Sequence, residues 1–309
     1  MNARTLLLTY RNRSPSEQKI EESFKYLGFN IKAVNLVSKS DSLNLDFNPQ
    51  IIIHLAGSTD TSKIDHRSNN IGTKNLIESI KNLGKDTHII FTSTTAVFAG
   101  RESCQESITE ETKPNPSNAY GRSKLFAEKY LIKKCKQKKF RLTILRLSTV
   151  YGENTRDNGL FSILKKSIMN KGLISRVNWP GLTSLVHVKD VCDVIWEIAN
   201  KPPFPGRPET FLVYSESFNL AGISKYMQSA LGVELEEIRI PEYIWKLLKS
   251  FRKLVPSLEG LLLYTIYNMF WRLSLIVDDV LYCRSDKLRK RLPVWVPRRF
   301  SDGVRDVIA

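Results

Sequence analysis

Apolar and polar positions fall into short blocks whose period changes along the chain. Thr5 to Thr9 (Thr-Leu-Leu-Leu-Thr) is an apolar run of strand length. Ser14-Pro15-Ser16-Glu17 follows, with a Ser N-cap, Pro at the first helical position and Glu at the third, a capping box that opens a helix. After Gly28 the pattern predicts strands over Asn30 to Val37 and Gln50 to Leu55, and a helix over Asn69 to Leu83. It continues with a strand over His88 to Thr92, a helix from about Gly121 to Gln137 and a strand over Leu142 to Leu147. Alternation at this spacing implies βαβ crossovers, hence an α/β fold with a mostly parallel, doubly wound sheet. Pro202 to Pro208 is a turn-rich connector, Phe218 to Leu220 reads as a strand, and the remainder is more helical. In that remainder, Glu242 to Val255 sets Ile244, Trp245, Leu247, Leu248, Phe251 and Leu254 against Lys246, Lys249, Arg252 and Lys253 at helical spacing. Gly260 to Val277 is dominated by Leu, Tyr, Phe and Trp.

Composition narrows the class. With 309 residues, 42% of them apolar, the chain can bury a large core, which excludes disordered and mini-protein classes. Against 31 acidic residues stand 47 Lys and Arg, a net charge of +16 that favours an anionic partner: a nucleotide, a nucleic acid or a lipid headgroup. No recognised nucleic-acid module is present. A basic block from Lys133 to Arg141 reads as a solvated helix end, where cations are favoured. Cys104, Cys135, Cys192 and Cys283 lie too far apart for a CxxC pair, and His54, His66 and His88 show no ligand spacing, so neither a disulfide framework nor a metal site is expected. The opening apolar stretch is too short for a signal peptide and no run has the length of a membrane span, so the expected compartment is the cytoplasm. The basic amphipathic segment leaves open a peripheral contact at the inner membrane face, against the alternative that both C-terminal helices line a substrate lobe.

Candidate chemistry centres on Tyr120-Gly121-Arg122-Ser123-Lys124. Four residues apart on a helix, a phenol and an ammonium share one face, and the cation favours the ionised phenol. About two dozen residues upstream, Ser93-Thr94-Thr95-Ala96-Val97-Phe98 ends a strand, where α/β sheets present catalytic groups.

These segments resemble the extended short-chain dehydrogenase/reductase family, in its NAD-dependent epimerase/dehydratase branch. His54-Leu55-Ala56-Gly57 resembles the strand end beneath the cofactor, and Asn69 to Leu76 the N-x-x-G-T-x-N-L helix start. Thr109 to Pro116 resembles the lead into the Tyr, Leu145 to Gly152 the loop between nicotinamide and substrate, and Leu185 to Val191 the VHVxDV signature. Leu275 to Asp278, Ser285 to Leu292 and Pro297 to Gly303 are similar to the ending of bacterial nucleotide-sugar 4-epimerases and 4-ketoreductases of surface-polysaccharide pathways. The resemblance implies a Rossmann-like dinucleotide-binding domain (1–155 and about 183–222) with a smaller, mostly helical substrate lobe (about 156–182 and 223–309). It implies NAD or NADP as cofactor, a nucleotide-sugar substrate and a homodimer. Tyr120 would act as the base, with Lys124 supporting it, Thr94 rather than Ser93 bonding the reacting oxygen, and Asn69 in a supporting role. A free Tyr would have to fall from about 10 to about 7, roughly 4 kcal/mol of differential stabilisation shared by Lys124 and the positive nicotinamide. Within this family His187 is a satisfied core residue.

Departures from the family pattern matter as much. Where it carries T-G-x-x-G-x-x-G, this chain has Thr9-Tyr10-Arg11-Asn12-Arg13-Ser14-Pro15-Ser16, without glycine, so backbone N–H groups lose their close approach to a pyrophosphate. Either Thr9, Arg11 and Arg13 bind the phosphates through charge-assisted bonds, or the cofactor site has decayed and the protein is a binding or scaffold relative. No acid ends the second strand; Ser38 and Lys39 stand there instead and suit a 2′-phosphate, keeping NADP open. The short stretch before Gln50 and Val97-Phe98-Ala99-Gly100 also resemble the dTDP-4-dehydrorhamnose reductase group. Thr183 replaces the Arg that clamps the substrate diphosphate, which leaves Thr149 and Arg272 as the substrate-binding candidates.

Overall fold

A computed structural model describes residues 6–10, 15–38, 48–260 and 262–308. Strand β1 (Leu7–Tyr10), helix α1 (Pro15–Tyr26) and strand β2 (Asn30–Ala33) form the first unit, with β1 and β2 paired in parallel. The expected cap, Ser14, lies outside the described residues. β2 stops short of Val37 because Asn35 turns the chain: its Oδ1 accepts from the Val37 N–H at 3.2 Å and its carbonyl from the Ser38 N–H at 3.0 Å.

Strand β3 (Ile51–His54), helix α2 (Arg67–Ser79), strand β4 (His88–Thr94), a 3-10 turn over Thr95–Phe98, helix α3 (Ala119–Lys138) and strand β5 (Arg141–Leu147) follow. Next come β6 (Thr149–Tyr151), α4 (Leu160–Met169), β7 (Leu182–His187), α5 (Val188–Asn200), β8 (Glu209–Val213) and β9 (Glu216–Asn219). Leu220, expected in a strand, instead starts helix α6 (Leu220–Leu231), because Asn219 caps it by accepting from the Gly222 N–H at 2.8 Å. Helices α7 (Glu242–Arg252) and α8 (Tyr264–Val277) and the short α9 (Lys287–Arg291), α10 (Phe300–Gly303) and α11 (Arg305–Ile308) complete the chain.

A four-stranded parallel sheet in the order β3-β4-β5-β8 organises the molecule. Side chains alternate across it, so Ile89 and Phe91 of β4 pack with Ile77 of α2 and Leu131 of α3, while Ile90 packs with Val194 and Ile198 of α5 on the opposite face. Helices therefore cover both faces, as the doubly wound expectation requires. Among the described residues no ladder joins β1–β2 to β3, so the strands of the doubly wound layer form two hydrogen-bonded sets. A third, mixed sheet runs β6-β7-β9. At its end His187 is fully buried: Nδ1 accepts from the Lys189 N–H at 3.1 Å, so Nε2 carries the proton toward Asp306 Oδ2, also at 3.1 Å. The four cysteines are free thiols.

Helix α3 is seated by contact with the 3-10 turn. Asn118 caps it, accepting from the Gly121 N–H at 2.8 Å, and a Cβ on Gly121 would stand 2.7 Å from the Ala96 carbonyl oxygen and 2.9 Å from Pro116 Cβ. Gly121→Ala is expected to cost about 1–3 kcal/mol, because one side of that gap is backbone and cannot yield cheaply. Gly84→Ala, with nothing within 4 Å of the added carbon, is the control and should be near neutral. Urea midpoints at unchanged m value check the pair.

Candidate active site

The two hydroxyls at the end of β4 serve different partners. Thr94 caps the 3-10 turn, accepting from the Ala96 N–H at 3.1 Å, and its hydroxyl lies on the Tyr120 phenol side, where it acts to lower the phenol's pKa. Ser93 donates instead to Glu128 Oε1, two turns further along the same helix α3. Tyr120, Lys124 and Glu128 follow one another at four-residue spacing along α3, so the helix sets phenol, ammonium and carboxylate in a row. Tyr120 is half-buried, and Lys124 and Glu128 are buried.

Loop residues after β3 and the start of α2 supply the facing wall. A Cβ on Gly57 would collide with Asn69 Oδ1 and lie 3.2 Å from Lys124 Nζ, so only glycine permits this approach. Asn69 Nδ2 donates to the Ser58 carbonyl and to Ser123 Oγ, both at 2.9 Å, and Ser123 Oγ donates to the Tyr120 carbonyl at 2.7 Å. The His66 ring packs 5.6 Å from that of Tyr120, centroid to centroid. His54, at the end of β3, holds the wall from behind: Thr73 Oγ1 donates to the Asn69 carbonyl, so His54 donates its Nε2–H to Thr73 at 2.8 Å. Two polar atoms here, Asn69 Oδ1 and His66 Nε2, are buried with no hydrogen-bond partner among the described residues. Buried polar atoms are normally satisfied, so this wall fits a ligand with its own donors and acceptors.

The electrostatics add one group that the sequence did not point to. Lys124 donates to the Thr92 carbonyl at 3.0 Å and sits 4.9 Å from the Phe91 ring centre; burial lowers its pKa from 10.5 to about 8, against the pull of Glu128. Burial also raises the Tyr120 phenol above its ordinary value, while the Thr94 hydroxyl and the charge of Arg156 act to lower it. The charge of Arg156, from the loop after β6, thus acts on the phenol from outside the helix. Glu128 carries the deepest ion pair among the described residues: Arg146 Nη2 lies 2.8 Å from Glu128 Oε2 and Nε donates to Oε1 at 3.1 Å. Arg146 also stacks 5.0 Å from the Phe98 ring centre.

Thr94, Tyr120, Lys124, Asn69 and Gly57 thus converge. Ala56 is exposed beside Gly57, Thr9 is exposed on β1, and Ser38 closes the turn after β2. Arg11, Arg13 and Lys39 lie outside the described residues. Thr149 Oγ1 approaches Thr183 Oγ1 at 3.4 Å. Arg272 donates to Thr61 Oγ1 at 3.1 Å and to the Asn158 carbonyl at 3.4 Å, and Tyr264 donates to the Thr61 carbonyl at 3.0 Å. Helix α8 thereby ties together the loops after β3 and β6. Sequence reasoning missed His66, Ser123, Glu128, Arg146 and Arg156. Of these, Glu128 carried a signal, the continuation of the Tyr-Lys spacing by four residues.

This arrangement belongs to a family of nicotinamide-dependent enzymes. The model of the NAD dependent epimerase/dehydratase family matches residues 3–213, and the chain belongs to that family. A UDP-glucose 4-epimerase of Mycoplasma pneumoniae is 26% identical over 253 residues, 72% of this chain and 71% of that protein. Among solved structures, UDP-glucuronic acid 4-epimerase from Bacillus cereus, in complex with UDP-glucuronic acid and NAD, superposes with a TM-score of 0.70 at 18% identity, covering 98% of this chain and 89% of the other. UDP-glucose 4-epimerase from Thermus thermophilus, in complex with NAD, gives 0.65 at 16% identity, with 98% and 97% covered. These two likenesses establish the shared fold.

Two outcomes follow from the buried charges. Arg146→Leu leaves the Glu128 carboxylate buried without its cation and is expected to cost about 3–5 kcal/mol, whereas Glu128→Gln with Arg146→Leu should recover a large part. A double-mutant cycle in urea measures the coupling. Burial lowers the pKa of His54 from 6.5 to about 3 and of His88 from 6.5 to about 4. The unfolded chain therefore binds more protons in the interval between those values and 6.5; stability is complete above 6.5 and falls as pH drops through the interval. Unfolding midpoints should fall between about pH 7 and about pH 4.5, with a shallower slope in His54→Gln.

Proposed function

We propose that the chain is a nucleotide-sugar 4-epimerase or 4-ketoreductase working with NAD or NADP in surface-polysaccharide synthesis. The convergence of Tyr120, Thr94 and Lys124 beside Gly57, in a wall with two unsatisfied buried polar atoms, carries this reading. Ala56 and Gly57 would lie beneath the cofactor, with Tyr120 and Lys124 at its reactive end. A nicotinamide held there supplies or accepts a hydride. Tyr120 moves the accompanying proton: burial keeps the phenol protonated here, the state that donates to a sugar 4-oxo oxygen as hydride reaches C4. The reverse direction requires the phenolate, which additional positive charge beside Tyr120 would favour. Thr94 orients the phenol, and Asn69, through Ser123, holds the carbonyl end of the same residue.

On the substrate side stand Thr149, beside Thr183, and Arg272, bonded to the loop after β3, and Arg156 adds a cation suited to a diphosphate. We read α4 and α6–α8 as the substrate lobe. A homodimer belongs to the same reading, supported by the exposure of Phe126 on α3. No described helix is long and apolar enough to cross a membrane.

Extraction of the denatured protein, followed by assay for nicotinamide dinucleotides and calorimetric titration with NAD(H) and NADP(H), tests the cofactor. Binding of either supports the proposal; its absence at millimolar ligand overturns it in favour of a non-catalytic relative. Where a nucleotide sugar is turned over, Tyr120→Phe is expected to reduce kcat by about 100-fold or more while the fold, read by circular dichroism, is kept.

A further inference from the structure

Helix α7 is apolar on two sides. Its inner side places Trp245 and Leu248 against Trp179, Leu273 and Val277, and its C-terminal end is fixed by Arg252, which pairs with Asp278 at 3.0 Å and donates to the Arg101 carbonyl at 2.9 Å. The packing that a core helix needs is therefore satisfied. Yet Tyr243, Leu247, Phe251 and Leu254, spaced by four, four and three residues, form a second stripe, and Leu247 is 70% exposed. The Phe251 ring meets Phe270 of α8 at 6.3 Å between centroids. Three and four residues apart, Leu263, Ile266 and Phe270 share one side, and Leu263 is 77% exposed. The half-buried Phe270 thus joins the two stripes through Phe251, and the exposed Tyr243, Leu247, Leu254, Leu263 and Ile266 lie on either side of that contact, a density of exposed apolar side chains that soluble monomers seldom present.

Along one flank of the α7 stripe run Lys246, Lys249 and Lys253. Lys246 lies 3.2 Å from Glu242 at the first turn, and Lys249 lies 3.6 Å from Asp278, which is already held by Arg252. Ammonium groups on flexible stems beside exposed Leu, Phe and Tyr are the arrangement by which an amphipathic helix lies in a membrane interface, its apolar side among the acyl chains and its lysines at anionic headgroups. The chain's net charge of +16 adds long-range attraction of the same sign.

We infer that α7, with the start of α8, docks the protein on an anionic lipid surface through Leu247, Phe251 and Leu263, flanked by Lys246, Lys249 and Lys253. Charge complementarity selects this occupant: a second copy of the chain would bring the same lysines against one another. The docking is independent of the reading of the active site. Helix α8 links the two regions, because Tyr264 and Arg272 on it bond the loop after β3, so a lipid-bound protein would hold that loop near the membrane.

Sedimentation of the full chain with vesicles tests this, comparing phosphatidylcholine alone with phosphatidylcholine mixed with phosphatidylglycerol. Binding to the mixed vesicles only is expected, weakened by high salt, and reduced about tenfold or more by Leu247→Glu with Phe251→Glu. Leu247 is exposed and Phe251 gives up one ring contact, so the double variant should stay folded with a thermal midpoint only slightly lowered, and Leu247→Glu alone should keep the wild-type midpoint while still weakening binding. A Lys246→Gln, Lys249→Gln, Lys253→Gln variant should lose most of the preference for phosphatidylglycerol. Failure to bind either vesicle, or equal binding to both, overturns the proposal. So does concentration-dependent self-association that the Leu247/Phe251 variant abolishes, seen by light scattering, since that assigns the surface to a second copy.

Discussion

A carboxylate with almost no access to water, that of Glu128, determines where the candidate site stands. It accepts from Ser93 at the end of β4 and, side-on, from Nε and Nη2 of Arg146 on β5, so one side chain of α3 is bound to two adjacent strands. Removing these charges from water is costly, and the cost is offset only when each donor and acceptor is matched in direction. That requirement permits little sliding or rotation of α3 against the sheet. Lys124 and Tyr120, one and two turns toward the N-terminus, inherit the fixed position. Glu128 also supports the positive charge of Lys124, which burial would otherwise depress further.

Around this fixed helix the other groups are arranged by contact rather than by sequence proximity. Gly57 lets the loop after β3 approach the Lys124 ammonium, and Asn69 binds that loop to α3 through Ser58 and Ser123. His54 holds the same wall from behind through Thr73, in a neutral form enforced by burial and by the nearby Lys124 charge. From the opposite side, α8 reaches over with Tyr264 and Arg272. The loops that frame Tyr120 are consequently supported by elements far apart in the chain, and motion of α8 would be transmitted to them directly.

Much of this was legible in the sequence. Strand and helix alternation gives the doubly wound core, because burial on both faces of a sheet imposes its own periodicity, and the Tyr120–Lys124 spacing sets both groups on one face of a helix before any contact is known. His187 behaves as the buried, satisfied residue expected of it. Local hydrogen bonds moved some boundaries: Asn35 ends β2 early, and Asn219 converts the residues after it into a helix. Capping side chains compete with a ladder on nearly equal terms, so an apolar pattern cannot tell where one yields to the other.

What the sequence by itself determined, then, is whatever depends on neighbours within a turn or two: the elements, their buried faces and the pairing of phenol with ammonium. Tertiary structure alone decided which charge acts on which group. The charge of Arg156 reaches the Tyr120 phenol from a distant loop, Arg146 neutralises Glu128 across two elements, and His66 comes to lie against the phenol. The physical reason is that desolvation and Coulomb energy depend on distance and burial in three dimensions. The linear spacing of a chain specifies neither until the sheet and its helices have closed around them.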